Sequence, residues 1–336
     1  MIFAIVIPPS ALGKLLEEVV RALLEATLGE VEYNFVDKAD SIPADLIHDP
    51  KQHLLVAANA PNSAIVKQLM ECRIPTIALV DDPKEIVRFV KTTYQSDFNS
   101  YLHTASACLA LTHDLVVDFA QVVLDRRLSS MGIRRLIEEI ASFYKLPLTD
   151  TSLSVVLTQF VQTTPGEDCP VAALLEKRSL KNKARLSQFE EELIDACLGP
   201  FEAMASHKPV RRVIWPGALF VPAGDTDTYF KRVDMVGRAR ILIFGPPLYL
   251  PQGHWKATPT FSVDDNDSGN VLLVDVYNGA TMLAEGRCTL PPEGQFSCDL
   301  AFEIDEPHRP FEVRFATDQG AIEGTFKLEE VKFERV

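Results

Sequence analysis

Ile2-Phe3-Ala4-Ile5-Val6-Ile7 is an unbroken apolar run, and Pro8-Pro9-Ser10-Ala11-Leu12-Gly13-Lys14-Leu15 follows it directly. Six apolar residues stopped by two prolines predict a strand buried on both faces. Leu15, Leu16, Val19, Val20, Leu23 and Leu24 then form one stripe at helical spacing. Strand, tight turn and helix, in that order, open many nucleotide-binding α/β domains. What the Pro8–Gly13 turn can hold therefore separates an enzyme from a binding protein.

Outward from this stretch, Val31–Val36, His53–Ala58 and Pro75–Val80 are further apolar runs of strand length. Pro61-Asn62-Ser63 opens a helix carrying Ile65, Val66, Leu69 and Met70, and Asp81-Asp82-Pro83 opens the next. This alternation predicts a parallel sheet with helices on both faces. From about residue 84 to 200 the strand pattern stops. Helices are expected at Lys84–Thr93, Tyr101–Val123, Ile133–Tyr144, Leu153–Thr163 and Lys183–Leu198, with an exposed loop at Thr164–Asp168. Val116, Val117, Phe119, Val122 and Val123 exceed a one-sided helical stripe, so a homodimer is expected to cover them.

The fold class expected is α/β, a parallel sheet with a large helical portion over residues 1–200, followed by a C-terminal antiparallel β-sandwich over 230–336. Residues 201–229 hold Trp215 and Phe220 and read as a packed linker. Beyond residue 230 the apolar period changes to two. Trp255, Ala257, Phe261 and Val263 share one face, as do Leu272, Val274 and Val276, and Phe296 to Ile304 alternate cleanly. Turn-forming clusters separate these runs.

The chain is acidic, with a net charge of −14, and neither half is basic, which argues against nucleic acid as a partner. No apolar run reaches the ~20 residues of a membrane span, and the N-terminus lacks the charged start of a signal peptide. A cytoplasmic protein is expected. None of the six cysteines forms a C-x-x-C pair, so reduced thiols are expected, with Cys288 and Cys298 the one pair weighed on neighbouring strands. His103 and His113 stand too far apart along a helix to share a metal. Asp264-Asp265-Asn266-Asp267-Ser268-Gly269 has the oxygen density of a calcium loop but reads first as a turn, so neither metal nor cofactor is expected.

Two resemblances follow from the quoted residues. Pro8-Pro9-Ser10-Ala11-Leu12-Gly13 falls where sulfotransferases carry a Pro-x-Ser-Gly-Thr-Thr phosphate loop. Leu79-Val80-Asp81-Asp82-Pro83-Lys84-Glu85-Ile86-Val87 falls where they carry an Arg-Asp-Pro-Arg-Asp-Val-Val-like segment that reads a nucleotide 3′-phosphate. Pro9 replaces the family's lysine, Ala11-Leu12-Gly13 replaces Gly-Thr-Thr, and Asp81 stands at the arginine. The resemblance thus implies a sulfotransferase-like domain whose nucleotide site is degenerate. If it still held an anion, Ser10, Lys14, Arg126 and Arg127 would face it; no catalytic residue is assigned. In the last part, Gly245-Pro246-Pro247-Leu248-Tyr249-Leu250-Pro251-Gln252-Gly253-His254-Trp255 resembles the segment that opens the jelly rolls of carbohydrate-binding modules.

Sugar binding uses exposed aromatics for pyranose faces and carboxylates, amides and guanidinium groups for hydroxyls. Candidates of those types are Tyr249, Trp255, Asp275, Tyr277, Asn278 and Arg314, with Trp255 read first as core. Together the resemblances imply a non-catalytic glycan-binding or scaffold protein of bacterial polysaccharide biosynthesis, with a saccharide as partner. The alternative is an active sulfo- or glycosyltransferase that uses the sandwich to hold substrate.

Overall fold

The computed structural model describes residues 1–37, 42, 53–161, 168–179, 184–224 and 232–336. Most of the loop expected at Thr164–Asp168 lies outside them. The chain forms two compact units. The first comprises Met1–Ser96, Leu111–Arg185 and Glu202–Pro209; the second comprises Asp97–Ala110, Leu186–Phe201 and Val210–Val336. The division crosses the boundaries expected at residues 200 and 230.

In the first unit, β1 (Ile2–Val6), β2 (Glu32–Phe35), β3 (Leu54–Ala58), β4 (Thr76–Val80) and β5 (Val122–Asp125) make one parallel sheet, ordered β2-β3-β1-β4-β5. Its described α-helices are α1 (Ala11–Leu28), α2 (Ser63–Glu71), α3 (Pro83–Thr93), α5 (Ile133–Tyr144), α6 (Asp150–Phe160) and α7 (Val171–Ser179), while α4 (Phe98–Asp114), up to Ala110, and α8 (Gln188–Cys197) belong to the second unit. Phe3, Ile5 and Ile7 enter a core shared with α1, α5, α6 and α7. Ala4 and Val6 point the other way, into a second core with Ile65 and Leu69 of α2. Two covered faces explain why β1 is apolar without alternation.

One expected helix is corrected. Residues 101–123 are not a single helix: α4 ends at Asp114, Leu115–Phe119 is a π-helical turn, and β5 follows at Val122. Val122 and Val123 are therefore ladder partners of Ile77 and Ala78 rather than surplus helix surface. That removes the reason for expecting a homodimer. The short α7 has no counterpart among the expected helices.

In the second unit the strands are β6 (Arg212–Pro216), β7 (Val221–Pro222), β8 (Val233–Asp234), β9 (Ile241–Leu248), β10 (Gly253–Asp264), β11 (Val271–Tyr277), β12 (Met282–Thr289), β13 (Gly294–Ser297), β14 (Leu300–Ile304), β15 (Phe311–Thr317) and β16 (Thr325–Arg335). One antiparallel sheet runs β13-β10-β16-β6, with β14 also on β10 and β8 on β16; the other runs β12-β11-β15-β9-β7. Within residues 201–229, read from the sequence as a packed linker, the chain forms β6 and β7. Trp215 of β6 is buried, its ring 4.9 Å from that of Phe311 and 4.4 Å from that of Phe333. Helix α8 packs against β6.

The alternating stretch Phe296–Ile304 keeps one register along β10 but divides into β13 and β14. Continuing that register places Cys298 opposite Pro259. Proline has no N–H to give the ladder, so the pairing breaks there. The Thr258 hydroxyl donates instead to Asp299 Oδ1 at 2.6 Å.

Candidate functional site

In open parallel sheets, ligands bind beyond the carboxyl ends of the strands. Here that end carries Ser10 after β1, Asp81 and Asp82 after β4, and Arg126 and Arg127 after β5. Asp81, Asp82, Arg126 and Arg127 border a crevice with two lobes. One, of about 260 Å³, is lined by Asp81, Asp82, Asp125, Arg126, Arg127 and Glu202 among others. The other, of about 290 Å³, adds Leu12, Glu85, Ser129 and Glu176.

The turn beneath the crevice is built for packing. Only four residues join β1 to α1. Pro8 and Pro9 have no N–H, and that of Ile7 is donated to Ala58 O at 2.9 Å. Ser10 is the N-cap of α1; its Oγ accepts the Gly13 N–H at 2.9 Å. A Cβ on Gly13 would lie 2.4 Å from Pro8 O, so glycine here lets the helix seat on the turn. The Ser10 hydroxyl also hydrogen-bonds Asp81.

Asp81 is 5% exposed. Burial pushes its carboxyl up to about 6, although the Ser10 hydroxyl and the Asp82 N–H at 2.8 Å favour the ionised form. The two arginines of the crevice are engaged with other carboxylates. Arg127 is bound to Asp125 at 2.6 Å, and Arg126 lies 4.0 Å from Glu202. Lys14 is exposed on α1 and lines neither lobe. Of the anion-site candidates, Arg126 and Arg127 line the crevice, whereas Ser10 and Lys14 do not. Ser10 is corrected from a phosphate ligand to a helix cap. The lining, with four carboxylates to two guanidinium groups in the first lobe, opposes a phosphate by charge.

The second unit brings three other candidates together on the outward face of the sheet holding β11 and β15. Asp275 and Arg314 are register partners. Arg314 Nε donates to Asp275 Oδ1 at 2.7 Å and Nη2 to Oδ2 at 3.1 Å, a bidentate pair. The guanidinium carbon sits 4.1 Å from the Tyr277 ring centroid, a cation–π stack. Glu312 faces Tyr277 across the ladder, and burial raises its carboxyl while Arg314 pulls it down. Phe244 of β9 opposes Arg314 on its other side and is 36% exposed. Neither Phe244 nor Glu312 is among the sequence candidates.

Three sugar-site candidates are corrected. Trp255 is fully buried, and its Nε1–H donates to Pro251 O at 2.9 Å, so it offers no face to a ligand. Asn278 Oδ1 accepts the N–H groups of Ala280 and Thr281 at 3.1 and 2.8 Å, which shapes the β11–β12 turn. Tyr249 lies away from the cluster. Its ring meets His103 of α4 edge-on at 5.1 Å, and its N–H donates to Ser106 Oγ at 3.3 Å. In the Asp264–Gly269 segment, Asn266 is buried and donates to Leu290 O and Pro291 O. Among the described residues no group of three or more His, Cys, Asp or Glu could hold a metal ion.

No protein-family model matches the chain, and no curated protein matches it. Among solved structures it is similar to a mouse sulfotransferase complexed with PAP, at 12% identity over 58% of this chain and 80% of that one, with a TM-score of 0.37. It is also similar to the C-terminal CBM6 of LamC, a marine laminarinase from Zobellia galactanivorans, at 11% identity over 37% of this chain and 99% of that one, with a TM-score of 0.24. A carbohydrate-binding module solved with calcium and xylotriose covers 37% of this chain and 98% of its own, at 8% identity and a TM-score of 0.24. These are the two kinds of protein that the sequence resembles. No helix among the described residues is long and apolar enough to cross a membrane.

Proposed function

We propose that this protein is a non-catalytic glycan-binding or scaffold protein of bacterial polysaccharide biosynthesis, and that its sandwich holds the saccharide on the outward face of β11 and β15. The observation that carries this reading is the Arg314–Asp275 pair stacked on Tyr277. A bidentate pair fixes both side chains without consuming every donor and acceptor, since Arg314 Nη1 lies outside it. Such fixed polar groups beside an aromatic ring suit vicinal hydroxyls on an apolar sugar face. The α/β unit then acts as scaffold, which agrees with a capping role for Ser10 and a buried carboxylate at the crevice.

The test is a glycan array with the full chain, followed by calorimetry on any saccharide retained. Tyr277→Ala and Arg314→Ala should each weaken binding at least tenfold. An empty array, or a saccharide whose affinity neither variant changes, overturns the proposal. A transferase reading has one observation in its favour, the position of Arg126 on both lobes of the crevice. A panel of nucleotides and nucleotide sugars would raise the melting temperature only under that second reading, because a ligand of the native state stabilises it by mass action.

A further inference from the structure

Cys288 lies on β12, an edge strand of one sheet, and Cys298 lies in the gap between β13 and β14, at the edge of the other. Both are free and partly exposed. Two observations fix how they meet. First, β12 packs against β14, and a Cβ on Gly286 would come 2.9 Å from Leu300 Cδ2, so these strands are in close contact at Gly286 and Leu300. Two residues on from Gly286 is Cys288, and two residues back from Leu300 is Cys298, each on the same side of its chain as that contact. Second, after burial, Cys288 is the neighbouring group that raises the Cys298 thiol, which agrees with the two facing each other there. Cys298 also stands opposite Pro259, where the ladder is already open, so its backbone can adjust to the geometry of a bridge.

We infer that Cys288 and Cys298 form a reversible oxidation site, in which a small-molecule disulfide converts the two thiols into a bond joining the two sheets at their shared edge. The exchange balances in two steps. The Cys288 thiolate attacks one sulfur of the reagent and expels the first small thiolate, leaving a mixed disulfide on Cys288. Cys298 then loses its proton and attacks Cys288 Sγ, expelling the second. One protein dithiol and one reagent disulfide become one protein disulfide and two small thiols. Burial and then the neighbouring Cys288 push the Cys298 thiol up to about 12, so Cys298 is poorly suited to begin the exchange.

The full chain is treated with oxidised glutathione, alkylated, digested with trypsin and weighed. Cleavage after Arg287 and Arg314 leaves both cysteines in one peptide, residues 288–314. The expected product is that peptide two hydrogens lighter and closed to alkylation, while exposed Cys72 carries a glutathione adduct and reports that the reagent was active. Cys298→Ser should trap the glutathione adduct on Cys288. The inference is overturned if peptide 288–314 keeps two alkylatable thiols, or carries glutathione on both, while Cys72 is modified.

Discussion

The Ser10 hydroxyl links the end of β1 to the end of β4: it accepts the Gly13 N–H at 2.9 Å and hydrogen-bonds the buried Asp81 carboxyl. One side chain therefore serves a helix cap and a buried acid together. Ser10→Ala removes both partners. The loss of the cap costs about 1 kcal/mol, and the acid left short of a donor adds about 1–3 kcal/mol. Urea denaturation at pH 7 should show a destabilisation in the upper part of that range, because Ser10 is almost fully buried.

Asp81 gives a pH dependence with a definite sign. Its folded value, about 6, lies above its ordinary 3.8, so the native state holds the proton more tightly than the unfolded chain. Protonation then stabilises the fold. This stability is fully present below pH ~4 and is lost as pH rises through about 6. Asp81→Asn removes the charge that burial opposes. It should stabilise the protein at pH 7 by about 3 kcal/mol, and its advantage over the parent should vanish near pH 4. Melting temperatures of both proteins across that range check the prediction.

At Gly13, two effects compete. Alanine in a helix is favoured over glycine by about 1 kcal/mol. The new methyl would meet Pro8 O at 2.4 Å, and that oxygen is backbone, which cannot swing aside. Overpacking of this kind costs about 1–3 kcal/mol, so Gly13→Ala should lower stability in chemical denaturation. A rise would mean that the β1–α1 turn can shift away from the helix.

The fork of Arg314 matters beyond its charge. Arg314→Lys keeps the cation but loses the two parallel hydrogen bonds and the flat stack on Tyr277. The pair is partly exposed, at 21% and 16%, which limits the expected loss to about 1 kcal/mol. Saccharide affinity, in contrast, should fall about as far as in Arg314→Ala if the planar group is what the ligand meets.

Periodicity made most of the fold legible. Strands buried on two faces read as unbroken apolar runs at Ile2–Val6 and Thr76–Val80, and half-buried strands read as alternation at Trp255–Val263. Val122–Asp125 was hidden because a short apolar strand placed directly after a helix looks like more of that helix. Arg212–Pro216 was hidden by the prolines and glycine around it, which suggest a linker, although Trp215 pairs with Val331 in the ladder. The site was less legible than the fold. Asp275, Tyr277 and Arg314 were singled out by residue type, and only the register of β11 with β15 makes them neighbours. Trp255 failed as a candidate because its place on the inward face of β10 outweighs its chemistry.

Pro259 bears on behaviour in concentrated solution as well as on the ladder. A long, flat outer strand offers an unbroken row of unpaired backbone groups on which a second molecule can dock and begin a growing ribbon. By splitting the outer strand into β13, of four residues, and β14, of five, Pro259 leaves two short templates in place of one long one. The interruption that opens room beside Cys298 therefore also guards the sandwich against edge-to-edge aggregation.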